Sequence, residues 1–295
     1  MPIEISAMMI TPTELATRLN ISLVTILRAL VASSCYVLPD QEMDQELVDL
    51  VLTNLGYGIT SSTLFRHAPE NRRMKSNWLA WYQNIQRRHL NSLYHFTAPT
   101  NIASIVRTGS LFARRQLAAQ GIQPIRNSWG STEKEIALGA DYICLSLTKQ
   151  WAMMRSVILE RAELPAVLII EPRVIWYEGT CFSPHNSARR DVRSAELRNW
   201  TTEYHFDLLF HETTSNWPGD PQAEILVRDT ITSEDIRNIV FHDQGAFQAV
   251  WQDAGLDRSA SALGKVRINA RYFPAGEIEP RGGVLGWAAS SEQAG

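Results

Sequence analysis

The sequence predicts an α+β protein, in which a domain built on a central sheet with flanking helices follows a small three-helix module. Three observations predict it. Apolar residues near the start recur at helical spacing; beyond Asn91 they gather into short runs separated by turns; and helical stretches fall between some of those runs.

Thr11-Pro12-Thr13-Glu14 combines an N-cap, a first-turn proline and a capping-box glutamate ahead of Leu15, Ala16 and Leu19, and so starts the first helix. Ser22 opens a second, whose Leu23, Ile26, Leu27, Leu30 and Val31 recur at helical spacing. After a Pro39-Asp40 turn, a third carries Leu47, Leu50, Val51 and Leu55 and stops at Gly56. We read residues 1–59 as a helix-turn-helix-like module. Its Glu14-Leu15-Ala16 and the helix at Asp44-Gln45-Glu46-Leu47 resemble the helical N-terminal module of bacterial translation initiation factor two. We read a nucleic-acid role for this module; a packing or interaction module is the plain alternative.

Over 60–91 the composition shifts to Arg72, Arg73, Lys75, Arg87 and Arg88 interleaved with Trp78, Trp81 and Tyr82. Aromatic faces among guanidinium groups suit a single strand of nucleic acid. An amphipathic connector helix, with its tryptophans packed and its arginines solvated, fits the same residues. The sheet domain spans 92–275, with strands expected at 93–97, 142–147, 166–171, 224–227 and 236–241 and helices at 100–106, 150–159 and 246–253. A further strand is expected within 265–273, and 276–295 reads as a flexible tail.

The chain has 295 residues, 45% of them hydrophobic but in runs too short to span a bilayer, and no basic and apolar leader opens it. A cytoplasmic protein without membrane contact is expected. Three cysteines in no metal-type spacing indicate neither a disulfide framework nor a metal site. A net charge of −3 argues against a surface that is basic throughout.

The chemistry lies in four pieces. Tyr94-His95-Phe96-Thr97 leads into Asn101-Ile102-Ala103-Ser104-Ile105 and Gly109-Ser110-Leu111; Asp141-Tyr142-Ile143-Cys144-Leu145-Ser146 is followed by Met153 and Met154. Then come Phe182-Ser183-Pro184-His185-Asn186-Ser187-Ala188 and Gln222-Ala223-Glu224-Ile225-Leu226-Val227. On a strand, Gln222 and Glu224 project together ~7 Å apart, a geometry that suits holding a sugar and makes Gln222 a cofactor-binding candidate, with Ala223, Ile225 and Val227 toward the core. In this order the pieces resemble the DarT-type DNA ADP-ribosyltransferases. The resemblance implies the ADP-ribosyltransferase fold with a split central sheet, NAD as co-substrate with no metal, and a base of single-stranded DNA as acceptor.

Carried over by motif, Glu224 is the catalytic glutamate, facing the positive charge that develops on ribose, and His95 holds that ribose beside Thr97. Ser146 takes the second-strand position and Met154, or Met153, meets the nicotinamide. Arg126 is assigned the NAD phosphates, with Arg114, Arg115 and Lys134 as rivals. Gln222 stands where arginine-modifying relatives carry a second glutamate, and its neutral amide suits a neutral base. Asn186, Arg189 and Arg193 begin a long polar segment before the catalytic strand and are candidates for nucleic-acid contact.

The reading is thus an NAD-dependent mono-ADP-ribosyltransferase acting as a toxin or phage-defence effector. Family resemblance implies a cognate antitoxin, commonly a macrodomain protein. An RNA-directed transferase, a non-catalytic nucleic-acid-binding module and an RNA 2′-phosphotransferase are the alternatives. The last of these needs a set of phosphate-gripping arginines that the sequence does not clearly supply.

Overall fold

The computed structural model describes residues 9–57, 74–75, 78–122, 140–149, 154, 164–187, 194–210, 217–253 and 265–273. The chain divides into two compact units, one of residues 1–83 with 176–178 and one of 84–175 with 179–295.

In the first unit, α1 (Pro12–Leu19) is started by a reciprocal capping box: the Thr11 side chain accepts from the Glu14 N–H, and the Glu14 carboxylate takes the Thr11 N–H at 2.9 Å. Asn20, with φ 52°, ends the helix in the left-handed region. Ser22 caps α2 (Leu23–Ala32) and Asp44 caps α3 (Gln45–Asn54). A backbone bridge between Ile10 and Met43 ties the starts of α1 and α3. The buried stripe of α3 is Val48, Val51 and Leu52, whereas Leu50, expected inside, is 40% exposed. All four residues are apolar, so helical spacing alone admits either face; packing selects one. Among the described residues no single helix is long and apolar enough to cross a membrane.

Trp78 and Trp81, on α4 (Trp78–Arg87), are 1% and 0% exposed. The Trp78 ring lies 6.3 Å from Trp176, and Tyr82 meets Trp176 edge-on at 6.1 Å. These tryptophans are core residues, so they offer no open face on which a base could stack.

The second unit is organised by strands β1 (Leu93–Thr97), β2 (Ser110–Phe112), β3 (Tyr142–Ser146), β4 (Ala166–Ile170) and β5 (Cys181–Ser183), followed by β6 (Glu224–Arg228), β7 (Thr230–Thr232), β8 (Ile236–Phe241) and β9 (Val266–Ile268). Seven of them form one sheet in the order β5-β6-β3-β1-β4-β8-β9, and β2 pairs with β7 apart from it. Pairing is antiparallel except between β8 and β9. The central β4, Ala-Val-Leu-Ile-Ile, is buried along its whole length, which is why it reads as an unbroken apolar run. β1 pairs with β4 over five positions but with β3 only through Tyr94 and Ser146. The sheet is therefore weakly stitched between β1 and β3, which matches the split expected of it.

Helices α5 (Pro99–Thr108), α6 (Arg114–Ala119), α7 (Ser194–Leu197), α8 (Glu203–Asp207) and α9 (Gln244–Asp253) flank the strands. Just past α4, Arg88 is 1% exposed and is fully used. Its Nε donates to Asn84 Oδ1 at 2.9 Å, its terminal nitrogen to Asp207 at 2.5 Å, and its plane lies 4.1 Å over the Phe210 ring. Removing Arg88 takes the charged partner from Asp207 and Asn84, which remain bonded to each other at 3.1 Å, and empties a buried site over Phe210. Arg88→Ala is expected to lower the unfolding free energy by about 3 kcal/mol, whereas Arg198→Ala, on an exposed pair with Asp141, should cost less than about 0.5 kcal/mol. Denaturant titration of the two variants checks the contrast.

Candidate active site

Four adjacent strands bring four side chains into one row. Ser183 on β5 is registered against Glu224 on β6, Glu224 against Ser146 on β3, and Ser146 against Tyr94 on β1. Partners in an antiparallel ladder project from the same face. Ser183, Glu224 and Ser146 are 0%, 3% and 2% exposed, so a carboxyl group sits among hydroxyls within an otherwise apolar sheet.

The Glu224 carboxylate accepts the Ser187 N–H at 2.8 Å, and the Ser187 hydroxyl also bonds it. Burial is the stronger influence and pushes the carboxyl from its ordinary 4.5 up to about 7, while the two Ser187 donors hold it back. The loop that carries Ser187 is itself tied down. Ser183 Oγ donates to the His185 carbonyl at 2.7 Å, and His185 Nδ1 lies 2.7 Å from Asp220 on the turn before β6. Asn186 is half-buried on that loop, whereas Arg189 and Arg193 lie outside the described residues.

Alternation along β1 sets Tyr94 and Phe96 on the face of Glu224 and sends His95 off the other face, so the β1 residue in register with the row is Tyr94. The imidazole turns to the seam between β1 and β3, with Nδ1 3.0 Å from the Cys144 carbonyl. A carbonyl only accepts, which assigns the proton to Nδ1 and leaves Nε2 as an acceptor. Burial lowers the pKa of this histidine, against the raising effect of the Cys144 hydrogen bond, so the ring is neutral at pH 7.

Gln222 does not share a strand with Glu224. β6 begins at Glu224, because Asp220 captures the Gln222 N–H with its carboxylate at 2.8 Å and the Ala223 N–H with its carbonyl at 2.9 Å, folding 220–223 into a turn. Thr97 is 5% exposed and accepts from Asn101 Nδ2 at 2.9 Å, which binds the end of β1 to α5. Met154, 2% exposed, packs with Val167, Ile169, Val240 and Phe273. Arg126 lies outside the described residues.

At the Tyr94 end of the row a small cleft opens between Tyr94, Phe96, Ser146 and Val167 on the sheet and Lys149, Met154 and Tyr272 above it. Lys149 places its ammonium 4.4 Å over the Tyr272 ring, and Tyr272 lies 6.3 Å from Tyr94. Sequence reasoning gave no role to Lys149 or Tyr272, nor to Ser187, although Ser187 stands in one of the four motifs. No group of three or more His, Cys, Asp or Glu residues that could hold a metal ion occurs among the described residues.

No curated protein matches the sequence. Among solved structures the chain is similar to Thermus sp. 2.9 DarT in complex with NAD+, at 15% identity and a TM-score of 0.39, covering 63% of this chain and 98% of that one. It is also similar to Thermus sp. 2.9 DarT in complex with ADP-ribosylated ssDNA, at 15% and 0.39 over 63% and 97% of the two chains. A third is Thermosipho africanus DarTG in complex with ADP-ribose, at 13% and 0.40 over 62% and 50%. The family model described as ssDNA thymidine ADP-ribosyltransferase, DarT, matches residues 94–273, a span that takes in the whole row and the cleft. That span is more than half of the chain, and the chain belongs to the DarT family of single-stranded-DNA thymidine ADP-ribosyltransferases.

Proposed function

We propose that the chain transfers a single ADP-ribose from NAD to the base of thymidine in single-stranded DNA, with Glu224 as the catalytic carboxylate. The observation that carries the assignment is the carboxyl itself, 3% exposed in a row of hydroxyls inside the family-matched span. A buried ionisable group costs stability unless something is gained from it. Transfer breaks the bond between nicotinamide and ribose C1′ and joins C1′ to a nitrogen of the base, which releases its proton to solvent. Positive charge grows on the ribose as the first bond lengthens, and a carboxylate fixed in poorly solvated surroundings stabilises that charge best where it is greatest.

The other roles follow from the chemistry of each group. Tyr94, Phe96 and Met154 supply apolar surface for the nicotinamide end on the face of Glu224, whereas His95, which leaves the other face of β1 at its seam with β3, is assigned a ribose hydroxyl by its motif alone, with Nε2 as the acceptor. Lys149, a cation beside Ser146 at the cleft, suits a diphosphate; Arg126 is assigned the same task from the sequence alone. Asn186, Arg189, Arg193 and Gln222 are assigned to the acceptor side.

The transferase occupies 92–275, joined through 60–91 to a helical module at 1–59 that we assign to nucleic-acid contact, in keeping with its likeness to the initiation-factor module. An enzyme that marks template bases in the cytoplasm stops replication, so we read it as a toxin or phage-defence effector. Its partner would be an antitoxin, such as a macrodomain protein that removes the mark.

Incubation with labelled NAD and separate DNA and RNA oligonucleotides is expected to label thymidine-containing single-stranded DNA. Label on RNA alone, or on protein alone, refutes the assignment. Glu224→Gln is expected to lower kcat on the order of 10³-fold. Because the carboxyl must be ionised to act, kcat/KM should rise with pH through a midpoint near 7 and level off above it.

Stability should run the other way. The folded carboxyl keeps its proton to about pH 7 while the unfolded chain releases it near 4.5, so stability present below 4.5 is lost as pH rises through that window. Glu224→Gln removes the loss: it should match the wild type at pH 4 and exceed it by on the order of 3 kcal/mol at pH 8, measured by denaturant unfolding at each pH.

A further inference from the structure

We propose that Ser187 is a positioning residue that aims the Glu224 carboxylate, through a relay running from the Cys144 thiol to the Ser187 hydroxyl to the Glu224 carboxylate. The inference rests on the reading of Glu224 as the catalytic carboxylate and deepens it. Ser187 is 6% exposed and gives the carboxylate both donors it owns, the N–H at 2.8 Å and the hydroxyl. A serine hydroxyl that donates to a carboxylate has its lone pairs left to satisfy, and Cys144 Sγ lies 3.9 Å from Ser187 Oγ, within reach for a thiol to donate. The order of donors is then fixed, because an ionised carboxylate only accepts.

Each link comes from a different part of the chain. Cys144 is on β3, two residues before Ser146; Ser187 is on the loop after β5; Glu224 starts β6. The loop is stapled at both ends of its turn by Ser183 Oγ and by the His185–Asp220 pair, so the Ser187 N–H keeps a fixed direction. Ser187 therefore acts through the carboxylate on the charge it presents, without touching the reacting atoms.

Titratable groups on the strands around the carboxylate are already partnered among themselves. β3 contributes Cys144 and Tyr142, β5 contributes Cys181, whose thiol donates to the Tyr142 hydroxyl at 3.6 Å, and β1 contributes Tyr94 and His95, the latter neutral with its Nδ1 proton on the Cys144 carbonyl. His185 and Asp220, on the loops to either side, are paired with each other. Ser187 is thus the direct donor to Glu224 that a single substitution can weaken without removing a charge.

The test compares Ser187→Ala and Ser187→Thr in the full chain by two readouts. The first is the pH dependence of kcat with KM for NAD measured alongside. The second is infrared titration of the Glu224 carboxyl, taken as the difference from Glu224→Gln. Loss of one charge-assisted donor is expected to move both midpoints upward by about one pH unit in Ser187→Ala. Activity then falls about fivefold at pH 7 and returns toward the wild-type plateau at pH 9, with KM for NAD little changed. Ser187→Thr, which keeps the hydroxyl, is expected to restore both midpoints. Equal loss at every pH, or an infrared midpoint that stays in place, overturns the proposal. An infrared shift in a chain that transfers no ADP-ribose would refute the functional reading and leave the relay standing.

Discussion

A carboxyl group in the middle of a β-sheet is the constraint around which the catalytic unit is arranged. Desolvating it costs free energy, and the cost appears as a carboxyl that holds its proton to about pH 7. Everything beside it limits that cost without removing it. β5 and β3 flank it with Ser183 and Ser146, and the 183–187 loop returns Ser187 to its oxygen. Full compensation by a lysine or arginine would have held it ionised, but would also have left no net negative charge at this point of the sheet.

β1 is the second constraint. It is bound along its length to β4, yet it meets β3 through a single pair. A sheet stitched in this way is firm on one side of β1 and free to gape on the other. His95 lies at the seam, with one ring nitrogen used on the Cys144 carbonyl and the other left over. Sites held by paired strands keep their geometry better than sites held by loops, and here the carboxylate and imidazole both hang from strands while Asn186 and Gln222 hang from turns.

Much of this could be read from the residues. The capping box at Thr11 and Glu14, the apolar runs of β4 and β8 and the four motifs each have a local cause, so the three helices, the long strands and the place of Glu224 on one of them were legible. What was not legible depends on partners distant in sequence. β2, β5 and β7 are three residues long, with side chains such as Cys-Phe-Ser and Thr-Ile-Thr that acquire strand geometry only by pairing. Register is equally non-local, which is why His95 was expected opposite Glu224 whereas Tyr94 is the residue in line with it. Gln222 was misread for a local reason that could have been seen: Asp220 and Pro221 are turn residues, and their turn shortens the strand by two positions.

The upper wall of the cleft is contributed by Tyr272, from the segment that follows β9, whereas its floor comes from β1, nearly the full length of the unit earlier in the chain. Synthesis runs from the amino end, so the ribosome releases the floor and the glutamate first and the lid-side aromatic last. A nascent chain that has just released β6 carries the glutamate but still lacks Tyr272, and with it one wall of the cleft. The order of the elements therefore sets completion of the cleft after the emergence of every strand from β1 to β9.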